Sequence, residues 1–137
     1  MEKLIISATQ TTPEIHLSVE EDIFRISGIS RPEDVRAIYY PVTGWIKELA
    51  DQIINKIITK YSKENPLTFQ VDLTYFNSSS AKFLFDIFIE LKRLILADVP
   101  VEVLWFYEND DPDLKEAGND IASMTDMQFI YIPKVPE

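Results

Sequence analysis

The sequence predicts an α/β fold: a mixed sheet with an N-terminal antiparallel hairpin, a mainly parallel second half and about three helices. Two patterns carry this expectation. From Pro41 onward, stretches of helical period alternate with strand-like stretches. That order implies right-handed crossovers between parallel strands. Before it, two alternating segments flank an acidic connection, as in a hairpin. The length of 137 residues, 46% of them hydrophobic, suits one core, so 1–137 reads as a single domain.

Leu4 to Ser7 is a short apolar start. Ile15-His16-Leu17-Ser18-Val19 alternates as a strand does, and Ile23 to Ser27 does so more loosely. Glu20-Glu21-Asp22 connects them, and Gly28 is expected to end the second strand. Ser30-Arg31-Pro32-Glu33 reads as a helix start, with Ser30 as cap and Pro32 in the first turn. Trp45, Ile46, Leu49, Ile53, Ile57 and Tyr61 recur at helical spacing from about Pro41 to Tyr61, and Asn65-Pro66 ends that helix. Leu67, Phe69, Val71 and Leu73 alternate with polar residues as a strand.

A helix follows through Leu84, Ile87, Phe88, Leu91, Leu94 and Ile95. Its additional apolar residues, Phe83, Phe85, Ile89 and Leu96, imply burial on two sides or an interaction face. Val101 to Tyr107 is nearly continuous and suits a strand covered on both faces. A weaker helix spans about Asp113 to Met124, Gln128 to Ile132 closes the chain as a strand, and Pro133 stops it.

The formal charge is −10. Nucleic acid and anionic membranes require clustered Lys and Arg and are poor partners for such a surface. No run reaches transmembrane length, and Met1 to Ser7 lacks the long apolar stretch of a signal peptide, so a cytoplasmic protein is expected. There is no cysteine and one histidine, His16, which reads as a solvent-facing strand residue. A Cys/His or Ser/His/Asp nucleophile system is therefore hard to build, and a Cys/His zinc site is excluded. No Gly-rich phosphate loop exists. No catalytic residue, metal ligand or cofactor is expected. Glu108, Asp110, Asp111 and Asp113 offer oxygens to a hard cation, but read better as a solvated acidic connection before a helix, or as a docking edge. Trp45, Trp105 and Tyr107 read as core.

The most informative stretch is Tyr75-Phe76-Asn77-Ser78-Ser79-Ser80-Ala81-Lys82. It places three hydroxyls, preceded by an amide, at a strand-to-helix turn. Helix N-terminal amides favour negative charge there. The hydroxyls can cap the helix, and they can be phosphorylated. The two roles are compatible. No base lies nearby in sequence to make any of them a nucleophile.

Further pieces stand in order around this element: Ala8-Thr9 with Thr12-Pro13-Glu14-Ile15, then Ser27-Gly28, then Ser30 to Glu33, then Trp105-Phe106-Tyr107 with its acidic tail. Together they resemble SiaC-type regulatory phosphoproteins, from about Ile5 to Ile132. That family looks like a distant relative of STAS, or anti-sigma factor antagonist, domains. The resemblance implies a non-enzymatic switch. A dedicated serine/threonine kinase would phosphorylate the hydroxyl after the Asn, and a PP2C-type phosphatase would reverse it. The unphosphorylated form would bind and activate a diguanylate cyclase, raising cyclic di-GMP and promoting biofilm or aggregation.

The matching position is Ser78, where the family usually carries threonine; Ser79 and Ser80 are substitutes. Thr12, Pro13, Asn77, Ser79 and Lys82 are expected near the partner, with Lys82 one turn along the helix from Ser78. Phosphorylated Ser78 is then the off state. An antagonist that captures an anti-sigma kinase is the alternative within this class. A cation-binding protein or small enzyme using the 108–113 segment is the alternative outside it.

Overall fold

The computed structural model describes residues 1–135. Its six strands are β1 Leu4–Ile6, β2 Glu14–Ser18, β3 Ile23–Ser30, β4 Leu67–Phe76, β5 Val101–Glu108 and β6 Ile130–Lys134. Its three helices are α1 Val35–Ile54, α2 Ser78–Leu96 and α3 Pro112–Met124. The strands lie in sequence order across one sheet. β1, β2 and β3 pair antiparallel; β3 to β6 pair parallel. The α/β class, the hairpin and the parallel second half are as expected.

Strand order explains the layers. Each parallel connection steps to the next strand in the same direction. Right-handed crossovers then put every helix on the same face. Ile15, Ile26, Val71 and Trp105 stand in one register row on that face and are buried beneath the helices. The neighbouring row, His16, Arg25, Gln70 and Leu104, lies on the opposite, uncovered face and none of its members is buried. β5 is accordingly covered on one face, not two: Val103 and Trp105 are buried, while Leu104 and Phe106 stay half-exposed. The apolar run suggests two-sided burial, but among the described residues no element crosses to the other side.

Several boundaries differ from expectation. The apolar start pairs as β1. β3 does not stop at Gly28 but runs on to Ser30. Gly28 adopts φ +97°, where a side chain would be strained. The β3–β4 register slips there, passing over Thr74 so that Ile29 faces Tyr75 and Ser30 faces Phe76. The extra residue inverts the alternation of β4. Tyr75 turns out to solvent, and Phe76 packs edge-on against Trp105 at 5.9 Å.

Because β3 continues, Ser30 is a strand residue and not a helix cap. Asp34 caps α1 instead, its carboxylate accepting from Ala37 N–H. α1 takes in Pro41 and ends at Ile54, well before Asn65-Pro66. Ile57, beyond that end, is largely exposed. Pro133 does not stop β6. It sits within this edge strand, where a missing N–H is tolerated. In α2, Phe83 is buried but Ile89 and Leu96 are exposed, so this helix is covered on one side.

Candidate functional site

The site lies where the parallel strands β3 and β4 end and α2 begins. Asn77 is the N-cap of α2: its Oδ1 accepts Ser80 N–H at 2.9 Å and Ser79 Oγ–H at 3.0 Å. The cap is therefore the amide, and the serines occupy the first helical turn. That turn carries no acidic residue.

Ser30 ties the turn to the sheet. Its carbonyl accepts Asn77 N–H at 3.0 Å and Ser80 Oγ–H at 3.1 Å. Its hydroxyl donates to Ser80 Oγ at 2.8 Å. Tyr39 of α1 closes the chain, 2.7 Å from Ser30 Oγ. With the Ser30 proton given to Ser80, Tyr39 is the donor. Ser30, Tyr39 and Ser80 are each 0% exposed. Three buried hydroxyls thus satisfy one another, as burial requires. Burial pushes the Tyr39 phenol pKa above its ordinary value, against the opposing pull of Ser30 and Ser80. The Tyr39 ring stacks on Phe83 at 5.5 Å and 11°, which sets α1 against α2.

The three candidate serines differ sharply. Ser80 is buried inside this relay. Ser79 is exposed, its hydroxyl donating to Asn77 Oδ1. Ser78 is exposed, and its hydroxyl has no hydrogen-bond partner among the described residues. Lys82 is exposed one turn on, 3.6 Å from Asp86 and 4.8 Å over the Phe83 ring.

Thr12 and Pro13 reach this edge through the β1–β2 turn. Thr9 Oγ1 accepts Thr12 N–H at 3.0 Å, and Thr11 O accepts Arg31 N–H at 2.9 Å, next to the Ser30 hub. Thr12 is half-buried, whereas Pro13 is buried.

The acidic segment begins the neighbouring helix. Asp111 caps α3 by accepting Leu114 N–H at 3.1 Å. Thr74, Tyr75, Phe76, Asp111, Asp113, Leu114 and Ala117 line an open groove of about 370 Å³ beside the strand-to-helix turn. Among the described residues no three His, Cys, Asp or Glu side chains converge as a metal donor set, so the carboxylates at 110, 111 and 113 are not brought together.

His16, half-exposed on the open face, meets Glu21 at 2.5 Å across the hairpin turn. That hydrogen bond chiefly holds the Glu21 carboxyl below its usual pKa. Trp105 is buried as expected and donates to Leu114 O at 3.1 Å. Trp45 and Tyr107 are only half-buried.

Sequence reasoning missed Ser30 and Tyr39 as parts of the site. Counting the period-two pattern of β3 past Gly28, through Ile26 and Gly28 to Ser30, would have placed Ser30 on the helix-covered face. Nothing in the sequence pairs Tyr39 with it.

The chain matches the profile described as SiaC family regulatory phosphoprotein over residues 6–134. It belongs to the SiaC family. An uncharacterized protein of Pseudomonas aeruginosa, strain UCBPP-PA14, is 27% identical over 130 residues, covering 94% of each chain. The crystal structure of apo-SiaC from Pseudomonas aeruginosa is 25% identical, with a TM-score of 0.76 over 98% of this chain and 99% of that one. SiaC in the crystal structure of the diguanylate cyclase SiaD with its activator SiaC, from the same species, is 23% identical, with a TM-score of 0.78 over 97% and 99%. The whole fold is thus shared with those structures. Membership makes this chain a regulatory phosphoprotein. No helix among the described residues is long and apolar enough to cross a membrane.

Proposed function

We propose that this chain is a non-enzymatic, phosphorylation-switched binding protein of the cytoplasm. Ser78 is its phosphoacceptor. The unphosphorylated form docks through the edge that carries Ser78 and activates its partner, a diguanylate cyclase. A serine/threonine kinase and a PP2C-type phosphatase set the state. The observation that carries this reading is the standing of Ser78: a free, exposed hydroxyl on a rigid helix start, in a family of regulatory phosphoproteins. The activator role of SiaC toward SiaD in Pseudomonas aeruginosa supports the choice of partner.

The switch works by charge and bulk. A phosphate adds about −1.5 to −2 charge at neutral pH. The α2 N-terminus tolerates it, because its first turn holds no acid and its amides favour an anion. Lys82, at i+4, can leave Asp86 and approach the phosphate. The fold therefore survives phosphorylation. A partner packed on this edge meets a charge it cannot solvate, and binding is lost through repulsion and desolvation.

The test is titration of the purified cyclase from the same host with wild-type chain, Ser78→Ala and Ser78→Asp. Ser78→Ala should bind and activate like wild type. Ser78→Asp should bind at least tenfold more weakly, about 1.4 kcal/mol or more. Equal affinity for the two variants would overturn the proposal.

A further inference from the structure

Three adjacent serines open α2, and the fold treats each hydroxyl differently. Phosphoryl transfer from a nucleoside triphosphate joins serine Oγ to the γ-phosphorus and breaks the bond from that phosphorus to the β,γ-bridging oxygen. The serine proton passes to a base on the kinase, and the nucleoside diphosphate leaves. An acceptor must therefore bring its oxygen to phosphorus and have its proton free to go.

Ser80 fails on both counts. It is wholly buried, it accepts from Ser30 Oγ at 2.8 Å, and its proton is given to Ser30 O at 3.1 Å. Ser79 fails on the second: its oxygen is exposed, but its proton is held by Asn77 Oδ1 at 3.0 Å. Ser78 meets both conditions.

We propose that Asn77 and the Ser30–Tyr39 pair act as a selector, holding the hydroxyls of Ser79 and Ser80 within the fold so that a kinase finds one acceptor among three. Asn77 is the specificity-determining member for Ser79. Ser30, itself held by Tyr39, sequesters Ser80. The inference rests on the phosphoacceptor reading above. It adds that the choice among serines is made by this chain and not by the kinase alone. The selector also explains how a run of identical residues can give a single modified state.

The test maps phosphate by tandem mass spectrometry on chain recovered from its host cells. Wild type should carry phosphate on Ser78 alone. Ser78→Ala should lose at least tenfold of the total phosphate, with none moved to Ser79. In the double variant Ser78→Ala with Asn77→Gly, the Ser79 proton is released, and phosphate should appear on Ser79. Gly keeps most of the capping preference, so the fold is retained; circular dichroism checks this. Asn77→Asp in place of Asn77→Gly restores an acceptor and should again keep Ser79 unmodified. A residue that only stabilised the helix would change melting temperature without moving the phosphate.

Transfer to Ser79 in the Ser78→Ala single variant would overturn the selector while leaving Ser78 as the native acceptor. So would a folded double variant that leaves Ser79 bare. Phosphate on Ser80 in any of these variants would overturn the role of Ser30 and Tyr39. Wild-type chain bare at all three serines would overturn the acceptor reading itself.

Discussion

Two helices, α2 and α3, begin at the same edge of the sheet, and they begin differently. α3 is capped by Asp111, continues with Pro112, and carries Asp113 in its first turn. The positive end of its dipole is permanently answered by carboxylates. α2 is capped by neutral Asn77 and carries three serines and no acid. Its anchoring differs too. α3 is held by shape: Gly118 lies so close to Trp105 that a Cβ there would stand 2.6 Å from the ring. α2 is held by direction, through the hydroxyl relay of Ser80, Ser30 and Tyr39. One helix start is electrostatically complete; the other is rigidly positioned yet left open to an anion. On the proposed reading, the second kind is what a reversibly attached phosphate needs.

The largest effect in breaking this contrast should come from the α3 side. Gly118→Ala forces Trp105 off its site, because the obstacle is a buried ring that donates to Leu114 O and cannot swing clear. Overpacking of this kind costs up to about 3 kcal/mol, read as a lower denaturation midpoint. On the α2 side, Ser30→Ala removes the Tyr39 acceptor, while Ser80 keeps Ser30 O. A buried donor left unpaired costs about 1–3 kcal/mol, and the surviving bond puts this case near the lower end. The raised Tyr39 pKa gives a companion readout. The folded state holds the phenol proton more tightly than the unfolded chain does. That stability is fully present below pH 10 and fades as pH rises through the folded value. Tyr39→Phe should therefore flatten the alkaline loss of stability above pH 10. Next in size is Asn77→Ala, which removes a cap and should cost about 1 kcal/mol.

The sequence carried the frame of this contrast more fully than its detail. The alternation of Leu67 to Leu73 and the run of apolar residues through α2 placed the strand-to-helix turn within a residue or two. The site therefore lay open to reading as soon as Asn77 and the serines were noticed. What stayed hidden depends on events at a distance. Gly28 looks like a strand end, and only pairing with β4 shows it to be a bulge that carries β3 on to Ser30. Ser30-Arg31-Pro32-Glu33 has the composition of a helix start, yet tertiary pairing claimed Ser30 for the sheet and left the cap to Asp34. Burial of Ser80 could not be read from three identical letters, because it follows from helical phase and from Tyr39 lying above it. The apolar β5 suggested cover on two faces, since a half-exposed Leu104 or Phe106 has the same letter as a buried one.

The smallest effects sharpen the contrast most, because they carry opposite signs. Ser78→Asp places an acid in the first turn of α2, where none exists. Removing Asp113 takes away the acid already present in α3. Charge–dipole terms at exposed helix starts run at about 0.3–1 kcal/mol and weaken with salt. Ser78→Asp should therefore raise stability by a few tenths of a kcal/mol, and Asp113→Asn should lower it by a similar amount. Both changes should shrink between low and high ionic strength. The same Ser78→Asp chain that melts slightly higher should bind the proposed cyclase partner more weakly. Stability and affinity moving in opposite directions is the signature of a switch that acts on the interface. If Ser78→Asp instead destabilises the fold, or if its effect ignores salt, then the α2 N-terminus is not an open anion position, and the difference between the two helix starts is one of packing alone.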